Sequence, residues 1–188
     1  ILGFFMVPLT LSYLDTNKYG IWLTLSSIIG WVAMMDIGLG NSLRNKLGEA
    51  WSNGDNKLAR TFVSTTYFLL IGIVLIANII FWVINPFLDW AKIFNTENNM
   101  LAEINPLVII VFSFFTIRMV FNLISPILAA DQRPALSNLL VFIASLLSFG
   151  IIYVLTLTTN NSLIYLGSSL SILTAIVPLI ASIWFFKN

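Results

Sequence analysis

The sequence contains no cysteine and no histidine. Without cysteine there is no disulfide framework and no thiolate metal site. Without histidine there is no imidazole zinc site and no histidine proton relay. Charge is scarce as well: 9% of the residues are Asp, Glu, Lys or Arg, against about 25% in a soluble domain. The formal net charge of +1 says less than where the charges fall. Also missing are a phosphate-cradling Gly-x-x-x-x-Gly-Lys loop, a nucleophile–base pair and a carboxylate cluster within the apolar runs. These absences argue against an ATP-driven pump and a membrane-embedded hydrolase. The expectation is no enzyme, no cofactor, no metal and no nucleic-acid partner.

What the chain does have is apolar surface. Of its 188 residues 59% are hydrophobic, and the mean hydropathy is +0.95. That composition belongs to an all-α integral membrane protein, because a helix needs about 20 apolar residues to cross a bilayer. Six such runs are predicted at 1–14, 19–40, 62–83, 106–128, 136–157 and 163–186. The first is too short to span and is expected to be the end of a helix that begins earlier. A polar segment at 87–105, with Trp90 in it, is expected to hold a short surface helix. Arg44, Lys46, Lys57, Arg60, Arg133 and Lys187 fall on one side of the alternating topology, with Lys18 and Lys92 on the other. The positive-inside rule makes the first side cytoplasmic. Asp15, Asp89, Glu97 and Glu103 then face outward.

The stretch from Tyr19 to Arg60 organises the rest. It begins as a span, carries Asp36 near its end and breaks at Gly38 and Gly40, where paired glycines permit a sharp exit. Leu43, Leu47, Ala50 and Trp51 then recur at helical spacing, with Arg44, Lys46 and Glu49 on other faces. That is the pattern of a helix lying in the interface. Asn53-Gly54-Asp55 is turn chemistry, and Asp55 is placed to cap the next helix.

Polar residues inside the spans mark the candidate site. Arg118 falls near the middle of the fourth span, where an arginine costs about 2.5–3.5 kcal/mol on insertion scales and so faces an interior or aqueous surface. Asn122 and Ser125 follow at the next turns and share its face. Pro126 cannot donate to the Asn122 carbonyl and is expected to kink the helix. Two readings are open for Arg118: it lines a cavity and meets an anionic group such as phosphate, which guanidinium can grip bidentately, or it pairs internally with Asp36 or an amide. Asn78, central in the third span, either lines the cavity or hydrogen-bonds a neighbouring helix. Asp36 is either a coupling-ion site or a structural acid at the glycine break, and the break favours the structural role. Ser171, Thr174, Pro178 and Ser182 form a narrow stripe that signals close helix packing.

The pieces YGIW at Tyr19–Trp22, DIGLGN at Asp36–Asn41 and NGD-x-K-x-A-R at Asn53–Arg60 resemble the polysaccharide transporter branch of the multidrug/oligosaccharidyl-lipid/polysaccharide flippases, in particular bacterial O-antigen flippases. The resemblance implies a protein of two six-helix lobes around a central cavity, of which this chain would be the N-terminal lobe, with the C-terminal lobe absent. It further implies a multi-pass protein of the bacterial inner membrane that translocates undecaprenyl-pyrophosphate-linked oligosaccharide. The partners it implies are that lipid-linked oligosaccharide, membrane lipid and other polysaccharide assembly proteins. On this reading Arg118, Asn122 and Asn78 are the candidate substrate-binding residues, with Arg118 chosen on burial cost and not on a family motif. Alternatives are a multidrug-extrusion or lipid II flippase relative, or a non-transporting scaffold of a polysaccharide synthesis complex. A carrier of organic cations calls for acids deep in its cavity, whereas the deep charge in this sequence is cationic.

Overall fold

A computed structural model describes residues 2–34, 38–159 and 161–187, and the described residues form an all-helical bundle. In chain order the helices are α1 Leu2–Tyr13, α2 Thr16–Met34, α3 Leu39–Ser52, α4 Asn56–Ile84, α5 Trp90–Ile93, α6 Leu101–Phe121, α7 Ile124–Ala130, α8 Pro134–Thr158 and α9 Leu163–Lys187. Among the described residues four helical stretches are long and apolar enough to cross a membrane: α4, α6 continued by α7, α8 and α9. The other two predicted spans correspond to α1, a shorter apolar helix, and to α2. Large apolar side chains on α4, α8 and α9 face outward, among them Phe68, Ile79, Phe142 and Ile180. Such surface is stable only against lipid or other protein.

Local chemistry explains most boundaries. Gly54 adopts φ +70° in the turn before α4, a conformation that glycine reaches without steric cost. The Asp55 carboxylate then accepts from the Leu58 amide at 2.8 Å and caps α4. Asp89 caps α5 in the same way through the Lys92 amide. Gly38, at φ +72°, precedes α3 and marks the predicted break after α2. Pro134 sits in the first turn of α8, where its missing amide donor costs nothing.

Three predicted boundaries are corrected. The span predicted from 62 starts earlier: α4 begins at Asn56, directly after the Asp55 cap. The fourth span starts at Leu101, so Pro106 lies inside α6 and not at its head. It is also two helices, because the ladder stops at Asn122 and Leu123 before α7 resumes. Pro126 accounts for that break, since it leaves the Asn122 carbonyl without its regular donor. The Ser125 amide takes that carbonyl at 3.0 Å instead, in a tighter turn.

Packing divides the bundle into two ends. At one end Tyr13, Leu14, Ile21, Ile104, Leu107 and Leu163 belong to a cluster drawn from α1, α2, α6, α8 and α9. At the other, Leu43, Leu47 and Ala50 of α3 pack with Ala59, Leu123 and Ile127 of α4 and the α6–α7 region. Arg44, Lys46 and Glu49 stay exposed on the far face of α3, as the amphipathic pattern predicts. The helix directions place Arg44, Lys46, Lys57, Arg60, Arg133 and Lys187 at the α3 end, with Lys18 and Lys92 at the opposite end. α6 and α9 make the most extensive helix contact. Gly167 permits it, because a Cβ there would come within 2.2 Å of Leu107 Cδ1 and 3.2 Å of Trp22 Cζ3.

Candidate functional site

Between the two clusters the bundle is hollow. A cavity of about 540 Å³ is bounded by α2, α3, α6 and α9, with Trp22, Ser26, Gly40, Phe115 and Ser171 among its walls. A second cavity of about 240 Å³ lies between the α6–α7 break and helices α8 and α9. The two share Met6, Arg118, Asn122, Ser148 and Thr174 as walls. Arg118 therefore stands at their junction.

Arg118 belongs to the last turn of α6 and Asn122 caps that helix. The predicted shared face is real: Arg118, Asn122 and Ser125 all line the smaller cavity. The break changes their setting. Sequence spacing predicts Arg118 in the middle of a continuous span, whereas the folded chain ends a helix one turn after it. Arg118 is accessible because it faces the hollow. Among the described residues it has no carboxylate partner: the ion pairs there are Lys18–Glu103, Lys46–Glu49, Lys92–Asp89 and Arg133–Asp131. Asp36, the acid considered as its partner or as a coupling site, lies outside the described residues. Asn122 forms a long contact of 3.4 Å with the Ser125 hydroxyl. Its amide group otherwise faces open space.

Asn78 is placed differently from the cavity-lining role considered for it. Its amide donates to the Val74 carbonyl at 2.8 Å and to the Thr116 hydroxyl at 3.1 Å, joining α4 to α6. It lines neither cavity. Thr116 is buried and its hydroxyl donates to the Ser113 carbonyl at 2.8 Å, so the Asn78 amide hydrogens and the Thr116 hydroxyl hydrogen all have acceptors. The α9 stripe splits into two roles. Ser171 and Thr174 face the larger cavity, whereas Ser182 is buried beside α6 and donates to the Pro178 carbonyl at 2.8 Å. Trp22, Ser26 and Ser148 are cavity walls that no spacing argument singles out, because their roles depend on how separate helices meet.

The end carrying the Tyr13 cluster is closed by a polar network. Lys18 pairs with Glu103 at 2.8 Å and also donates to the Asn161 carbonyl. The second oxygen of Glu103 accepts from the Leu163 amide at 3.2 Å, at the start of α9. Asp15 accepts from the Asn161 side chain at 2.7 Å, while the Asp15 amide donates back at 3.1 Å. Tyr13 and Thr159 share a hydrogen bond of 2.8 Å beside them. The Asn161 amide, followed by the Lys18 backbone amide, holds the Asp15 carboxyl below its ordinary value of 3.8. Three connections distant in sequence are thereby tied together at one face.

Comparison with known proteins places this architecture. The chain is 23% identical over 161 residues to a provisionally named O-antigen export protein of Yersinia pseudotuberculosis, an alignment covering 85% of this chain and 36% of that protein. It thus spans about a third of that relative's length. No solved structure matches the chain significantly. The model of the MatE family matches residues 2–156, most of the described bundle. This chain, a multi-pass membrane bundle with Arg118 at the junction of two cavities, belongs to the MatE family.

Proposed function

We propose that the chain is the N-terminal lobe of a bacterial inner-membrane flippase. Its substrate is an undecaprenyl-pyrophosphate-linked oligosaccharide, carried from the cytoplasmic to the outer leaflet by alternating access. It is a transporter and not an enzyme. One observation carries the reading: a guanidinium without a carboxylate partner among the described residues, at the junction of two cavities inside an apolar bundle. A cation so placed has not been neutralised by the fold, and guanidinium geometry suits the oxygens of a pyrophosphate or an acidic sugar. Asn122, with its amide open to the same space, supplies further hydrogen bonds. The name of the Yersinia relative supports a polysaccharide cargo. A multidrug carrier for organic cations fits less well, because no described acid lines either cavity.

The test uses the full-length protein in a strain lacking its own O-antigen flippase and supplied with the native glycan cluster. Wild type restores surface polysaccharide. Arg118→Ala loses it at equal membrane abundance, and Arg118→Lys retains part, because charge survives while bidentate geometry does not. Full activity of Arg118→Ala would remove Arg118 from the substrate path. Failure of the wild type with its native glycan would favour a scaffold role.

A further inference from the structure

The smaller cavity has a chemistry of its own. Its α6–α7 side is polar, made by Arg118, Asn122 and Ser125. Its opposite side is largely apolar, with Leu140, Val141 and Ala144 of α8 and Val177 and Pro178 of α9, among which Ser145, Ser148 and Thr174 supply hydroxyls. The Ser145 hydroxyl donates to the Val141 carbonyl at 2.9 Å and the Thr174 hydroxyl to the Ser171 carbonyl at 3.1 Å, each within its own helix, so neither donor is free for a ligand. Val141 is 62% exposed and stands beside Phe142 on the apolar outer face of α8. The cavity therefore runs from the Arg118 cation to the apolar exterior of the bundle within one helix width. A purely polar solute would leave the α8 wall unsatisfied, and a purely apolar one would leave Arg118 facing hydrocarbon.

We infer that this cavity is a side portal for a single-chain anionic amphiphile. The phosphate sits against Arg118 and Asn122, and the first carbons of the tail pass Leu140, Val141 and Ala144 to the bilayer. The head can then remain in the larger cavity without the tail entering it. This inference rests on the flippase reading and adds the route by which tail and head are separated. At about 240 Å³, less than half the larger cavity's 540 Å³, the smaller cavity suits one chain over the two of a membrane phospholipid.

The experiment uses the full-length protein in vesicles with two photoreactive probes. One is a polyprenyl diphosphate with a diazirine in its first isoprene unit; the other is a diacyl phosphatidic acid with a diazirine at the same depth. The polyprenyl probe should label the peptide carrying Leu140–Ala144, and Arg118→Ala should reduce that labelling. In cells, Val141→Trp and Ala144→Phe narrow the portal and should each lower surface polysaccharide on the order of tenfold. Phe142→Trp, on the same outer face but away from the cavity, should leave it unchanged. Equal or stronger labelling of α8 by the diacyl probe overturns the single-chain assignment. Loss of transport in Arg118→Ala with normal transport in both α8 variants and no α8 labelling overturns the portal alone. Normal transport in Arg118→Ala removes the flippase assignment of Arg118 beneath it.

Discussion

Gly167 shows how much one residue can decide in this chain. It has no turn to make, and its importance is the space that its missing side chain leaves for Leu107 and Trp22. Leu107 is fully buried, so it has little room to withdraw. Gly167→Ala should destabilise the bundle by about 1–3 kcal/mol through overpacking, measured by thermal unfolding in detergent. Gly150, on the neighbouring helix, has open space at the same position and provides the control. Asp15 supports a prediction of a different kind. Its carboxyl is held below the ordinary value of 3.8 by the Asn161 amide first and the Lys18 backbone second. A depressed folded value means that the stabilisation is complete above the unfolded value and is lost as pH falls through the folded one. An acid titration of unfolding should therefore show wild type above Asp15→Asn at neutral pH. The gap should close only below about the ordinary carboxylate value. A gap that closes near neutrality would show that another group titrates there.

At the scale of elements, α3 is the part whose sequence and structure agree most closely. Leu43, Leu47 and Ala50 are spaced to one side, and that side is the one buried against α4 and α7. Leu47 is 0% exposed, and Leu47→Ala should cost about 2–5 kcal/mol. Because the loss falls at the α3 contact, limited proteolysis near Asn53 should quicken before global unfolding does. The Asp55 cap and the Pro126 break were equally legible, since each acts within one turn of its own position. The start of α6 was not. Glu103 and Asn105 make residues 98–105 look like a surface loop, but Glu103 is drawn into the fold by Lys18 and the Leu163 amide. Those partners lie 85 and 60 residues away. Asn78 was ambiguous for the same reason, because only the approach of α6 brings the Thr116 hydroxyl to its amide.

For the whole molecule, the segregation of charge makes a topology prediction. The described chain contains no cysteine, so single cysteines introduced into a cysteine-free full-length background report position without interference. Ser52→Cys should be shielded from a membrane-impermeant maleimide added outside intact spheroplasts, and Asn98→Cys should react. The reverse pattern would invert the bundle and contradict the cationic α3 end as the cytoplasmic one.

Composition, the spacing of apolar residues and local caps were enough to establish a helical membrane protein, the surface helix α3, the break near Pro126 and a costly central arginine. Each of these follows from interactions within a few residues of chain or from the solvent that a segment requires. The hollow between two packed ends, the shared wall at Arg118, the bond from Asn78 to Thr116 and the close approach at Gly167 were decided only by the tertiary structure. They depend on which helix faces meet, and contact between faces far apart in the chain leaves no periodic trace along it.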